Sequence, residues 1–275
     1  MKKYPVVLTI AGSDSVGGAG IQADIKAISA TGAYAASAIT AVTVQNTVGV
    51  RAVHAVPVET VRGQIEAVVS DIGADAVKIG MLGNPDLVRV VAETLKSLRI
   101  TNIVLDPVMV ATSGDILLEE SAIEVLESEL LPLARVITPN IPEAEILSGD
   151  KISSPEQFED VARKLSLGGH VSVFMKAGHL EGCEELTDVF YNAEENHFVR
   201  LRSKRVHTPN THGTGCTLSS SLASFLAQGL GLDEAAAAAH SYLAGAIRSG
   251  AAYSIGHGHG PVNHFYRIND KKADF

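Results

Sequence analysis

Residues 6–29 read VVLTIAGSDSVGGAGIQADIKAIS. Residues 6–10 form a short β-branched run that ends in glycines, and residues 21–29 space their apolar side chains as a helix does. A strand, a glycine loop and a helix in direct succession make the opening unit of a parallel sheet, because strands running the same way need a crossover between them. The alternation continues along the chain. Strands are predicted at 38–44, 76–79, 103–105, 136–137 and 171–175, and helices at 58–69, 87–98, 142–147, 155–167, 217–227 and 233–248. Residues 188–191 and 198–201 read as an antiparallel pair. This pattern predicts an α/β fold, with a mostly parallel central sheet covered by helices on both faces. No linker rich in Pro, Gly and Ser divides the chain, so residues 1–275 are expected to form one domain.

Composition narrows the function. A net charge of −9 leaves no broad basic surface for nucleic acid, so an anion would be held locally, by backbone amides and one or two cations. Cys183 and Cys216 are the only cysteines and form no CxxC pair, which points to a reducing cytoplasm. The N-terminal MKKYPVVLTIAG is too short and too broken by Pro5 to read as a signal peptide, and no apolar run is long enough to span a bilayer.

In such folds ligands sit beyond the carboxyl ends of the strands, so the segments after each strand carry the chemistry. In the first loop, Gly18 to Ala23 (GAGIQA) satisfies a loose dinucleotide pattern, but no acidic residue follows between Thr40 and Val50 to hold a ribose. A Walker A loop also fails, since Gly18 and Ala19 stand where Lys and Ser/Thr are needed. Two readings remain open: a tight turn packed on the sheet, or a close backbone approach to a small flat substrate with Asp24 as an acceptor.

Residues 210–220, NTHGTGCTLSS, place Gly213, Thr214, Gly215 and Cys216 at the opening of a helix. First-turn amides lack internal partners and lie at the positive end of the helix dipole, so this is a cradle for an anion. The same field would stabilise a thiolate, and the Cys216 pKa is expected to fall below the free value of about 8.5. A small buried cysteine that merely packs the helix is the plain alternative. His257 and His259, in HGH, point apart if extended and have no companion ligands, so they and His212 are not expected to bind metal.

The segments GSDSVGGAGIQAD, TVQNTVGV, KIGML, LDPVM, TPNIPEAE, MKAGH, NTHGTGCTLS and GHGHGPVNHF occur in that order. Together they resemble the hydroxymethylpyrimidine/phosphomethylpyrimidine kinases of thiamin biosynthesis, in the ribokinase-like superfamily, across nearly the whole chain. The resemblance implies a ribokinase-like fold without a separate lid domain, ATP and Mg²⁺ as cofactors, and a homodimer. It implies that Gly213, Thr214 and Gly215 form the anion hole and that Cys216 stands where most relatives carry an aspartate base. It places Lys176 on the nucleotide phosphates, with Thr211, Gly213 and Gly215 also on the nucleotide, and makes Asp106, Asn140 and Glu143 the Mg²⁺ set. The pyrimidine pocket maps to Gly12, Asp24, Gln45, Met81, Val108 and Cys216, and GHGHGPVNHF to a loop near the nucleotide. Pyridoxine and pyridoxal kinases are the nearest relatives and the alternative activity. A non-catalytic ligand-binding module on the same fold is the alternative outside enzymes.

Overall fold

The computed structural model describes residues 3–110, 117–178, 180 and 182–269. Nine strands form one sheet in the order β3-β2-β1-β4-β5-β6-β7-β8-β9. They are β1 Val6–Ser13, β2 Tyr34–Asn46, β3 Gly49–Ala55, β4 Ala76–Ile79, β5 Ile103–Leu105, β6 Val136–Ile137, β7 Ser172–Met175, β8 Glu185–Asn192 and β9 His197–Lys204. The six central strands, from β2 to β7, run parallel, and the outer pairs β2/β3, β7/β8 and β8/β9 are antiparallel. The expected mostly parallel central sheet is observed, and the described residues contain no second sheet.

Period-two alternation sorts the central strands onto two apolar layers. Leu8, Ile10, Val77, Ile79, Ile103, Leu105, Ile137, Val173 and Met175 face one core, shared with α2 (Val58–Asp71), α3 (Pro85–Ser97) and α6 (Phe158–Leu165). Val7, Ala76, Val104, Val136, Phe174 and Phe190 face the other, built with α1 (Gly20–Ala30), α7 (Thr214–Ala227) and α8 (Leu232–Gly250). Thr9 and Lys78, polar residues in this second register, are directly paired on β1 and β4 and fully buried.

Local chemistry sets the helix starts. Asn84 caps α3 by accepting from the Leu87 amide at 3.0 Å, with Pro85 in the first turn. α4 (Glu120–Val125) follows β5, and α5 (Ile141–Ser148) opens with a reciprocal capping box between Asn140 and Glu143. α7 starts at Thr214, three residues earlier than its periodicity predicts, with Gly213 as the cap at φ +81°. Only an early start puts Gly215 and Cys216 inside the first turn.

Two differences matter for the site. Gly49–Ala55, where no strand is predicted, forms β3, whose hydrogen bonds to β2 extend the sheet edge. The GHGHG loop reaches further than expected: Gly260 O accepts from the His212 amide beside the anion-hole turn, while the amides of His257 and Gly258 donate to Thr47 Oγ1 and the His259 amide to Thr47 O. It therefore packs on the β2–β3 hairpin, close in sequence to Gln45. His257 and His259 are exposed there, and among the described residues neither joins a three-ligand metal cluster. His179, in MKAGH, lies outside the described residues.

Candidate active site

A cavity of about 600 Å³ opens at the carboxyl ends of the parallel strands. Of the residues expected at the site, Gly12, Gln45, Met81, Asp106, Val108, Asn140, Glu143, Lys176, Thr211, Gly213, Thr214, Gly215 and Cys216 all line it. Topology brings them together, since each lies at or after the carboxyl end of a parallel strand or in the loop and first turn that open α7.

At one part of the cavity the Met81 methyl packs on Gly12, where a Cβ would stand only 2.5 Å from it. Gln45 sits at a register shift in β2, which turns its amide relative to the regular pleat. Thr43 Oγ1 donates to the Gln45 side-chain oxygen, Oε1, at 3.2 Å. A wall of Val206, Leu243, Ala244 and Ile247 forms another part and was not foreseen; its apolar side chains lie on and around an Ala-rich helix that reads as ordinary core.

The charged centre lies where Gly215 approaches two groups. A Cβ on Gly215 would sit 3.4 Å from both Asp106 Oδ2 and Lys176 Nζ. Lys176 Nζ donates to Asp106 Oδ1 at 3.1 Å and lies 3.7 Å from Glu143 Oε2. Burial alone would raise the Asp106 carboxyl, but Lys176, Lys78 and the hydroxyl of Thr138 hold it below the usual carboxylate range. Burial pushes Glu143 up to about 7; Lys176 opposes this and the Asp106 charge adds to it. Burial would lower Lys176, yet the charges of Asp106 and Glu143 raise it. Two carboxylates thus converge on a spot now held by an ammonium, which is an oxygen donor set suited to a hard cation that keeps much of its water. Asn140 fits that set less well, because its side-chain oxygen accepts from the Glu143 amide at 2.9 Å as the cap of α5.

Glu143 carries a stability prediction. Its folded pKa lies above the reference value of 4.5, so the folded state holds the proton more tightly and stability falls as pH rises from about 4.5 to about 7. The displacement corresponds to roughly 3 kcal/mol at most. Glu143→Gln keeps the acceptor for the Asn140 amide and removes the buried charge. It is expected to raise Tm by a few degrees at pH 8, with the gain fading toward pH 5. A lower Tm at pH 8 would mean that the Lys176 pair outweighs burial.

Two expectations are corrected. Asp24 does not line the cavity. It is fully buried, and its oxygens accept from Lys78 Nζ (2.9 Å to each), Thr9 Oγ1 (2.6 Å) and Ser220 Oγ (2.6 Å). With four donor contacts filled from β1, β4 and α7, no lone pair is offered to a substrate. The Cys216 thiol is also pushed up, to about 11, rather than down. Burial is the main cause, the Asp24 and Asp106 charges add to it, and Lys78 and the Gly20 amide only partly offset them. The helix-terminus field is therefore outweighed by burial beside two carboxylates.

Lys78 was missed. It is fully buried, lines the cavity, and pairs with Asp24. A lysine between apolar strand residues and Gly80 was the available signal, since a charge in a central strand needs a buried partner. Asp14 and His212, bonded at 2.8 Å, were missed as a pair, as was Asp188. Asp188 accepts from the Ala177 amide at 2.7 Å, and burial pushes it up to about 6 against that bond and Lys176.

The phosphomethylpyrimidine kinase model matches residues 14–263 of this chain. The chain belongs to the phosphomethylpyrimidine kinase family. A hydroxymethylpyrimidine/phosphomethylpyrimidine kinase of Rhizobium meliloti is 48% identical over 263 residues, 95% of this chain and 97% of the relative. The crystal structure of a phosphomethylpyrimidine kinase from Clostridium difficile superposes with a TM-score of 0.76 at 44% identity, covering 86% of this chain and 97% of that one. An ADP complex of Bacillus subtilis pyridoxal kinase superposes with a TM-score of 0.87 at 34% identity, covering 97% and 99%. The kinase thus shares its fold with a pyridoxal kinase as well as with a phosphomethylpyrimidine kinase. Among its described residues no helix is long and apolar enough to cross a membrane.

Proposed function

We propose that this kinase transfers phosphoryl groups from MgATP to the hydroxymethyl of 4-amino-5-hydroxymethyl-2-methylpyrimidine, then to the resulting monophosphate, in thiamin biosynthesis. The observation that carries the reading is one cavity in which the α7 turn, Lys176, Asp106 and Glu143 meet beside the Gln45 pocket. Gln45 presents an amide that can both donate to and accept from ring nitrogen and amino edges. Met81 and Val108 cover the ring faces. The apolar wall of Val206, Leu243 and Ile247 receives the nucleotide base, with Thr211 and the glycine turn near its phosphates.

Phosphoryl transfer depends mainly on positioning and on stabilising charge at the phosphoryl oxygens. Lys176 supplies a cation, and the first-turn amides of Gly215 and Cys216 supply donors that need no rearrangement. A divalent cation, when bound, neutralises phosphate charge; Asp106 and Glu143 would hold it, with the Lys176 ammonium moving from the carboxylates to the phosphates. Homodimeric assembly and a cytoplasmic location belong to the same reading.

With its pKa near 11, Cys216 enters the reaction as a thiol, which can hydrogen-bond the substrate hydroxyl but, already protonated, takes no proton from it; the hydroxyl proton passes to an oxygen of the transferred phosphoryl group. General-base removal typically costs about 10²–10⁴-fold. Cys216→Ser should fall below that range, with turnover lowered about tenfold and nucleotide affinity unchanged. A loss near 10³-fold would instead show a thiolate base.

The substrate test is a mass-spectrometric assay with MgATP and equal amounts of hydroxymethylpyrimidine, pyridoxine and pyridoxal. Two successive phosphoryl additions to the pyrimidine are expected. A single addition confined to pyridoxine or pyridoxal would move the enzyme to vitamin B6 salvage, the activity named for the Bacillus subtilis neighbour.

A further inference from the structure

Asp14 and His212 lie 198 residues apart and both are buried, with side-chain exposures of 4% and 9%. One oxygen of Asp14, Oδ2, accepts from the Gly18 amide at 2.9 Å, the Ala19 amide at 2.8 Å and His212 Nε2 at 2.8 Å. The other accepts from the Val16 amide at 2.9 Å. The Asp14 amide in turn donates to Gln22 Oε1 at 2.8 Å, which ties the carboxylate's own backbone to α1. On the far side, the His212 amide donates to Gly260 O at 3.0 Å. Four protein donors hold the carboxylate, three on Oδ2 and one on Oδ1, and all of them belong to the two loops, so Asp14 acts through the loops it holds.

Those loops touch at the anion hole. Gly213 follows His212 and lies so close to Gly18 O that a Cβ on it would stand well under 3.0 Å away. Gly18 in turn packs on the His212 ring and Pro261. The turn that presents the Gly215 and Cys216 amides is thus seated on the backbone of residues 18–19. A single carboxylate oxygen holds both sides of that seat. Burying an ionised carboxylate is costly even when it is hydrogen-bonded, and apolar packing could join two loops at lower cost. What a multiply bonded carboxylate adds is fixed direction for every donor around it.

We propose that Asp14 and His212 are positioning residues for phosphoryl transfer, a clasp that fixes the α7 turn in the geometry the transferring group requires. The inference rests on the phosphotransferase reading of the cavity. Misplacement of a catalytic group by about 1 Å can cost about 10²-fold, so the clasp should act on turnover far more than on nucleotide binding.

The test compares Asp14→Asn, His212→Leu and His212→Gln with the wild-type enzyme. Asp14→Asn turns an NH₂ toward three donors or withdraws the acceptor from Val16. His212→Leu removes one donor, and His212→Gln restores an N–H of similar reach. Three quantities are measured: Tm, turnover, and the affinity for ADP with Mg²⁺ in the absence and presence of aluminium fluoride, a mimic of the phosphoryl group in flight. Asp14→Asn and His212→Leu are expected to lower turnover about 10²-fold, to leave ADP affinity within about twofold, and to lose most of the fluoride-dependent tightening. His212→Gln should recover turnover to within about fivefold of wild type by the same argument. Should Asp14→Asn fail to fold, the Leu and Gln variants carry the comparison. Turnover and fluoride-dependent affinity near wild type in His212→Leu would overturn the inference, as would a parallel fall of Tm and ADP affinity that Gln does not repair. A wild-type enzyme with neither transfer nor fluoride-dependent tightening would overturn the phosphotransferase reading itself, and the inference with it.

Discussion

Gly213→Ala is expected to reduce phosphoryl transfer by about 10³-fold or more. Gly213 sits at φ +81°, in the left-handed region, and a Cβ there would meet Gly18 O, Gly18 C and the Ala19 Cα. The left-handed conformation alone costs a non-glycine residue about 1–2 kcal/mol. The larger effect is steric, because the obstructing atoms are backbone and cannot rotate away. The turn must move, and the first-turn amides of α7 move with it. Loss of a single such donor typically costs about 10²–10³-fold, and both amides are displaced together. Gly215→Ala is the control. Its Cβ would reach Asp106 and Lys176 at 3.4 Å, an ordinary contact, and its φ is not positive, so a loss of about tenfold or less is expected. Single-turnover measurement on both folded variants decides. Gly213→Ala within tenfold of wild type would remove the turn from the chemistry.

Asp24→Ala is expected to destabilise the protein by about 3–5 kcal/mol, the usual cost of stranding one member of a buried ion pair. Lys78 would be left fully buried with no counter-charge, and Thr9 and Ser220 would each lose an acceptor. The attraction between Asp24 and Lys78 is not itself the source of that number, since a buried pair roughly offsets its own desolvation. The prediction therefore extends to the double change Asp24→Leu with Lys78→Met, which should recover much of the loss by apolar packing between the sheet, α1 and α7. Urea unfolding supplies the measurement. If Asp24→Ala stays within about 1 kcal/mol of wild type while the substrate KM rises, Asp24 is a substrate ligand after all and the burial argument is wrong.

The comparison of sequence with structure turns on particular residues. β5 at Ile103–Leu105 and β6 at Val136–Ile137 were readable to the residue, because each is a buried apolar run closed by a turn signal. The helix expected at 142–147 is found as Ile141–Ser148, but the capping box between Asn140 and Glu143, three positions apart, emerges only from the structure. β3 was not legible, because Gly49–Ala55 is mostly exposed and its pairing with β2 leaves no burial period to detect. The α7 start was placed late because Thr214–Cys216 carry no apolar periodicity; the glycine cap alone sets it.

What the chain determined by itself was its alternation of strand and helix, and with it the parallel sheet. It also determined the positions of the two glycine loops and the presence of Lys176, Asp106, Glu143 and Cys216 at strand ends and a helix start. These properties depend on neighbours a few residues away. The tertiary structure alone decided which charges cancel. Asp24 meets Lys78 across 54 residues and so faces the core instead of the substrate. Asp106 lies beside α7, more than 100 residues away in sequence, and helps hold Cys216 as a thiol. A side chain's local sequence sets where its backbone goes, but its ionisation and free lone pairs are set by whatever the fold packs against it.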